Sequence, residues 1–136
     1  INKRFNDRKI IYWDQRLSYE DFEGEIKCAD MILSNIHFYY KDRDLPLVEI
    51  YGLTKESGTT FLMLKYGKPG ILPAGMVTMS QLSDQIINYR DRHQLKSLIY
   101  KLSTKEIDLQ RLNQISICNS QKYRDDAKSC LDRFIQ

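Results

Sequence analysis

The segment Thr59-Thr-Phe-Leu-Met-Leu-Lys-Tyr66 decides which fold the sequence predicts. Its β-branched and aromatic residues favour an extended strand with one buried face. Turn-forming residues stand on both sides of it, at Glu56-Ser-Gly58 and at Gly67-Lys-Pro-Gly70. We therefore predict a strand over 59–66. The most buried strand residues of the chain are expected to be among Val48, Ile50, Phe61, Leu62, Met63 and Leu64.

Two shorter strands are predicted on either side of this segment. Leu47–Tyr51 precedes the first turn, and a third strand begins at Ile71 and Leu72 after the second. Proline cannot donate a ladder hydrogen bond, so Pro73 limits that third strand to an edge or an end. Because short turns connect the three strands, we expect them to form an antiparallel meander.

A helix is predicted after the strands, beginning at Ser80 or Ser83 and ending near Leu102. Its apolar stripe would cover one face of the sheet. The predicted fold class is α+β: a small antiparallel three-stranded meander packed by a C-terminal helix, with additional flanking helices. The chain is divided into an N-terminal arm and helix over 1–46, a central domain over 47–102, and a C-terminal helical extension over 103–136 that packs on it.

The N-terminal segment predicts an arm followed by a helix. The run Ile10–Trp13 is apolar and indicates a short strand or a docking arm. Ser18 is predicted to cap a helix. The apolar positions of that helix recur at helical spacing, at Phe22, Ile26, Ala29, Leu33 and Ile36.

Two more helices are predicted in the C-terminal segment. Ser103 and Glu106 form a capping-box pattern before the first of them. The second begins near Asn119 or Ser120. Both are expected to pack inward, the first through Ile107, Leu112 and Ile115, the second through Tyr123, Leu131 and Phe134, with Ala127 and Cys130 on the same side of that helix.

Composition narrows the classes of protein that the chain can represent. Its 136 residues carry 21 basic and 18 acidic side chains, a net charge of +3, without a run of five or more like charges. Three widely spaced cysteines are typical of buried thiols in a reducing compartment. No membrane span, signal peptide or zinc-ligand spacing is visible. No metal, cofactor or membrane partner is therefore expected.

Residues that could carry catalysis occur singly, so the sequence predicts no enzyme. The spacing of His93 from Ile86 and Tyr89 indicates a partly packed surface histidine. His37 is interpreted as structural, and Cys118 and Cys130 have no visible activating base. The Gly67–Gly70 turn lacks the pattern of a phosphate loop.

Residues 48–97 also contain the ordered motifs of a known module. Ile50-Tyr-Gly52-Leu-Thr54, Ser57-Gly58 and Phe61-Leu62-Met63-Leu-Lys65 are followed by Ile71-Leu72-Pro73-Ala74 and Ser83-Asp-Gln85-Ile86-Ile87. In this order and spacing they resemble a chromo shadow domain, the dimerising and peptide-binding module of heterochromatin proteins. The resemblance covers about a third of the chain. It implies the hairpin, the third strand and the start of the C-terminal helix described above.

The resemblance implies a nuclear protein-protein interaction module of a chromatin or gene-silencing protein. Its partners would be a second copy, a paralogous chromo-shadow-like domain, or peptides of chromatin-associated proteins. Ungapped alignment places Asn88, Asp91 and Leu95 at the family's dimer positions, which are apolar in the family. A shift by one residue places Ile87, Arg90 and Gln94 there instead, and neither register supplies three apolar residues. The candidate partner-binding residues are Ile86, Ile87, Tyr89, Arg90, Leu95, Leu98 and Ile99.

Nucleic-acid binding is the alternative interpretation. Tyr-rich strands could stack on bases, and a basic helix face at Arg90, Arg92 and Lys96 could contact phosphate. Mixed charges nearby are more typical of a solvated helix face, so this alternative is not favoured. A steep loss of nucleic-acid binding with salt would distinguish it from protein binding.

Overall fold

The computed structural model describes residues 16–35, 39–41, 48–50, 57–76 and 78–135. A 3₁₀ helix at Ser80–Gln85 accompanies four α-helices and five β-strands. In chain order these are α1 Tyr19–Cys28, β1 Ile32–Leu33, β2 Tyr39–Lys41, β3 Val48–Ile50, α2 Gly58–Tyr66, β4 Gly70–Pro73, β5 Ile86–Tyr89, α3 Arg92–Ser103 and α4 Leu109–Ile135.

The main sheet has the order β1-β4-β5, and both of its pairings are parallel. The predicted antiparallel meander is therefore wrong, although an α+β chain with a three-stranded sheet is what forms. Val48–Ile50 is a strand, but it pairs antiparallel with β2 in a separate two-stranded sheet. Parallel neighbours need a crossover rather than a hairpin. Here α2 precedes β4, and the 3₁₀ helix lies between β4 and β5.

Strand β4 lies at the centre of the sheet, and all four of its residues are buried. A continuous apolar run is typical of a strand covered on both faces. Pro73 ends this strand and does not place it at an edge. The missing N–H of Pro73 would point toward β1, which already ends at Leu33. No ladder hydrogen bond is lost there.

The segment predicted as the best strand is helix α2. Ser57 caps it, because the Thr59 N–H donates to the Ser57 hydroxyl over 3.2 Å. Gly67 ends it in the left-handed conformation, with φ of 60°. The residues that indicated turns are thus the two caps of a helix. Burial follows helical spacing at Thr60, Met63 and Leu64.

This helix changes which side chains form the core. Met63 and Leu64 are buried as expected, but Phe61 is 59% exposed and Leu62 only half-buried. Val48, also predicted in the core, is exposed. The central cluster joins Met63 to Leu72 and Met76, with Ile32 and Ile86 packed against it.

The predicted helix from Ser80 to Leu102 is also wrong. The chain forms the 3₁₀ helix, then β5, then α3. The β-branched pair at Ile86 and Ile87 extends along β4, and Asp91 starts a new helix by accepting from the Gln94 N–H over 2.8 Å. The strand propensity of the isoleucines and the Asp91 cap thus divide the segment predicted as one helix into β5 and α3.

Helix α4 is continuous over 27 residues, so the predicted break near Asn119 does not occur. Ser103 belongs to α3, and Asp108 caps α4 by accepting from the Arg111 N–H over 2.9 Å. Its first half packs against the core. Its second half does not, because Tyr123, Ala127, Cys130, Leu131 and Phe134 are all exposed. Their predicted inward packing is wrong.

Small residues let α4 approach the end of α2. Ser116 and Ser120 are fully buried, and the Ser120 hydroxyl donates to the Leu64 carbonyl over 2.6 Å. A Cβ on Gly67 would lie 3.3 Å from the Ile117 Cα. Contacts therefore cross the predicted boundary at 102/103, and the β1-β4 pairing crosses the one at 46/47. The boundaries themselves stay predictions.

Other expectations have mixed outcomes. Ser18 caps α1 as predicted, accepting from the Asp21 N–H over 3.1 Å. The helix ends at Cys28, however, and Leu33 belongs to β1. The expected burial of the thiols is wrong, since Cys28, Cys118 and Cys130 are exposed. The predictions for Ile10–Trp13, Ile36, His37 and the turn residue Glu56 lie outside the described residues.

Alanine substitutions distinguish helix α2 from the strand that the sequence predicted. In a strand, Phe61 and Met63 would share one face. In the helix, Met63→Ala should lower the free energy of unfolding by about 2–5 kcal/mol, because it empties a fully buried site. The exposed Phe61→Ala should cost less than about 1 kcal/mol. Urea denaturation measures both, and equal large losses would contradict the helix.

Glycine substitutions test the close approach of α2 and α4. Gly67→Ala should lower the free energy of unfolding by about 1–2 kcal/mol, since φ is positive and the new Cβ meets α4. Gly24→Ala is the control, because it lies within α1 with no heavy atom near its Cβ. It should raise the free energy of unfolding by about 0.5–1 kcal/mol. A neutral Gly67→Ala would mean that this contact is not tight.

Candidate protein-binding surfaces

Strand β1 forms one edge of the parallel sheet. Its ladder to β4 uses the N–H groups of Ile32 and Ser34, which donate to Pro69 and Ile71 over 2.9 and 3.0 Å. Main-chain groups alternate in direction along a strand, so the N–H and C=O of Leu33 point to the open side. The Leu33 side chain is 48% exposed. This edge can therefore accept one more strand.

An apolar groove of about 530 Å³ lies beside this edge, between α1 and α2. Glu25 is its only charged lining residue among the described residues. Phe22 and Ile26 line it from α1, and Leu62 lines it from α2. The remaining lining residues are Leu17, Ala29, Met31, Ile32, Leu33 and Thr59. We call this surface, with the Leu33 edge, the β1 groove.

A polar cluster holds the two helical walls of the β1 groove together. Glu23 on α1 accepts from the Tyr66 hydroxyl over 2.5 Å and pairs with the Lys65 ammonium at 3.1 Å, both on α2. Lys65 also donates to the Tyr19 hydroxyl over 2.9 Å. Its ammonium lies 4.8 Å from the centre of the Tyr66 ring. The cluster thereby fixes the distance between α1 and α2.

The same contacts stabilise the charged forms of Glu23 and Lys65 and the neutral form of Tyr66. The hydrogen bonds from Tyr66 and then from Lys65 lower the pKa of Glu23 from 4.5 to about 2. Hydrogen bonds to Tyr19, Tyr66 and Glu23 raise the pKa of Lys65 above its usual range. Burial, followed by the hydrogen bond to Glu23, raises the pKa of Tyr66. At neutral pH Glu23 and Lys65 are therefore charged, and the Tyr66 hydroxyl stays protonated and neutral.

A second surface lies at the other edge of the sheet. Ile87 of β5 faces an open pocket of about 580 Å³ against the start of α4. Its floor is apolar and its rim is charged, at Asp84, Asp108 and Arg111. Ile107, Leu112 and Ile115 form the rest of the floor. These three were predicted to pack inward, and they are half-buried.

The seven predicted partner-binding residues do not share one helix face. Tyr89 is buried and donates its hydroxyl to the Ser34 carbonyl over 3.0 Å. Ile86 packs on the core cluster, and only Ile87 lines the second pocket. Arg90 is exposed between β5 and α3. On α3, Leu95 and Leu98 are half-buried and Ile99 is exposed.

One buried side chain retains an unpaired donor. Gln85 is fully buried at the end of the 3₁₀ helix, and its Oε1 accepts from the Asn119 amide over 3.0 Å. Its Nε2 has no hydrogen-bond partner among the described residues. An unpaired buried donor costs stability, so this contact between the 3₁₀ helix and α4 is imperfect.

The part of the chain that the structure describes contains no group of three His, Cys, Asp or Glu residues that could hold a metal ion. His93 is exposed in the first turn of α3. Within the same residues, no helix combines the length and the apolar composition of a membrane span. Comparisons with protein-family models, curated proteins and solved structures find no match for this chain.

Sequence reasoning missed the β1 groove because its parts belong to separate elements. The apolar spacing of Phe22, Ile26 and Ala29 was visible, but it was assigned to a helix that continued through Leu33. The strand signal at Ile32 and Leu33 is two residues long. Only its pairing with β4, which is not local in sequence, makes it an edge.

The pKa of Glu23 provides a test of the cluster that holds α1 on α2. Tyr66→Phe removes the main hydrogen bond, so the pKa of Glu23 should rise from about 2 toward 4.5. A carboxylate with a lowered pKa stabilises the fold above pH 4.5 and loses this contribution as the pH falls through about 2. The Tyr66→Phe variant should lose the stabilising contribution of Glu23 at a higher pH than the unchanged chain does.

Carboxyl NMR titration measures this pKa, and thermal unfolding between pH 6 and pH 2 measures the stability. Tyr100→Phe is the control, since it removes an exposed hydroxyl on α3. Unchanged titration of Glu23 in Tyr66→Phe would show that the hydrogen bond does not set its pKa.

Proposed function

We propose that this chain is a protein-binding module that takes an extended peptide segment of its partner on the β1 groove. The observation that supports this most directly is the main chain of Leu33, which has no hydrogen-bond partner among the described residues and lies beside an apolar groove. Strand addition of this kind obtains affinity from main-chain hydrogen bonds and specificity from side-chain pockets.

The groove also suggests which peptides should bind. The free edge of β1 is short, so main-chain pairing alone is weak and an anchor side chain is needed. Phe22, Ile26 and Leu62 offer apolar contacts to such an anchor. Alternate residues of an added strand point to the same side. The preferred peptide should carry apolar residues at alternate positions, and Glu25 favours a basic residue near them.

A role in chromatin and a nuclear location would follow only from the resemblance to a chromo shadow domain. Two of the segments that carry this resemblance take other structures, since Phe61–Lys65 lies within α2 and Ile86-Ile87 begins β5. The proposal is therefore protein binding itself, without a chromatin partner. Nucleic-acid binding through Arg90, Arg92 and Lys96 is the alternative function that the sequence suggests.

Selection of random peptides displayed on phage against the whole chain would test the proposal. Selected peptides should carry apolar residues at alternate positions, and their addition should slow amide hydrogen exchange at Leu33. Leu33→Lys places a charge at the groove while keeping the ladder hydrogen bonds. It should weaken binding of the selected peptides by about tenfold or more.

Asn88→Lys is the matched control, because Asn88 is exposed on β5 and its main chain points to the opposite edge of the sheet. It should leave binding unchanged. The proposal is wrong if no peptide is selected, if Leu33→Lys binds as well as the unchanged chain, or if the exchange protection appears at Asn88 instead. Salt-sensitive binding of an oligonucleotide without any peptide binding would favour the nucleic-acid alternative.

A further inference from the structure

The C-terminal half of α4 carries an apolar stripe that the described part of the chain leaves exposed. Every described side chain from Gln121 to Phe134 is exposed. Leu131 is 61% exposed and Phe134 is 88% exposed. A solvated helix of about four turns is marginal on its own. A stripe of this kind therefore indicates a helical partner.

The stripe continues a face of α4 that is already packed. Ser116 and Ser120 bury that face against α2. Counting onward in alternate steps of three and four, as in a coiled-coil heptad, gives the next positions on the same face. They are Tyr123, Ala127, Cys130 and Phe134. Tyr123 and Asp126 also border the 3₁₀ helix at Ser80 and Gln81. Every described side chain of this face beyond Ser120 is nevertheless exposed and accessible to a second helix.

We propose that two copies of this chain associate through these stripes as an antiparallel helix pair. In this arrangement Tyr123 of one copy meets Phe134 of the other, and Ala127 meets Cys130. Small side chains then oppose each other at the centre and aromatic ones at both ends. The surface differs from the β1 groove, so this proposal is independent of peptide binding.

The charges beside the stripe complement each other only in the antiparallel arrangement. Asp126 and Arg133 occupy the same heptad position, directly before the stripe residues Ala127 and Phe134. In an antiparallel helix pair, residues at this position face residues at the same position of the other helix. Asp126 of each copy would face Arg133 of the other, which forms two equivalent ion pairs. In a parallel pair Asp126 would lie next to Leu131 and gain no ionic partner.

The part of the chain that packs on the first half of α4, which we call the body, also favours the antiparallel arrangement. Helix α2 covers the stripe's face at Ser116 and Ser120. In a parallel pair the two bodies would lie side by side and compete for that face. In the antiparallel pair, Phe134 of the partner reaches only Tyr123. The exposed stripes of the two copies therefore overlap along their full length, and the two bodies lie at opposite ends of the helix pair.

Charge reversal provides the test, using sedimentation velocity on the whole chain under reducing conditions. The unchanged chain should show a concentration-dependent dimer. Asp126→Arg and Arg133→Asp should each weaken it about tenfold, because each creates two repulsive pairs. An equimolar mixture of the two variants should restore the dimer as a heterodimer, in which both ion pairs are attractive again.

Asp125→Arg is the matched control, since it makes the same charge change on the outer face of α4 and should leave the dimer unchanged. Leu33→Lys should also leave it unchanged, which separates this pair from association through β1. A strict monomer at all concentrations, single reversals without effect, or a mixture no tighter than its components would each overturn the proposal.

Discussion

Close packing between the end of α2 and the first half of α4 is the contact on which the rest of the structure depends. Gly67 and Ser120 let the two backbones approach, and one side-chain hydrogen bond crosses to the Leu64 carbonyl. Larger residues at these positions would separate the helices and open the core at Met63. The same contact fixes α2, which supplies one wall of the β1 groove, and α4, which supplies the free stripe.

The walls of the β1 groove are held by polar contacts and its floor by apolar ones. Glu23 links α1 to α2 through Lys65 and Tyr66. A charged and hydrogen-bonded cluster has directional geometry, so it can keep two helices apart at a fixed spacing. The groove is therefore open without a bound partner.

Local signals in the sequence predicted individual elements better than their arrangement. Ser18 caps a helix as predicted, and the short apolar run at Ile71 and Leu72 is a strand. The β-branched start of Thr59–Tyr66 predicts a strand, but the segment is a helix because Ser57 and Gly67 cap its two ends. Parallel pairing of β1 with β4 joins residues far apart in sequence, and no local pattern specifies it. The edge at Leu33 and its groove could not be predicted for the same reason.

The apolar periodicity of the C-terminal segment is visible in the sequence, but the inward packing that it predicts is wrong. The spacing at Tyr123, Ala127 and Phe134 is real, yet periodicity shows only that a face should be buried, not by what. Burial in the chain's own core requires neighbouring elements within reach, and among the described residues the 3₁₀ helix at Ser80–Gln85 borders α4 only as far as Asp126. In the antiparallel pair proposed here, the two β1 grooves would lie on bodies at opposite ends of the shared helices. A partner with two suitable peptide segments would then bind more tightly through both grooves than through one, provided that its linker spans the pair.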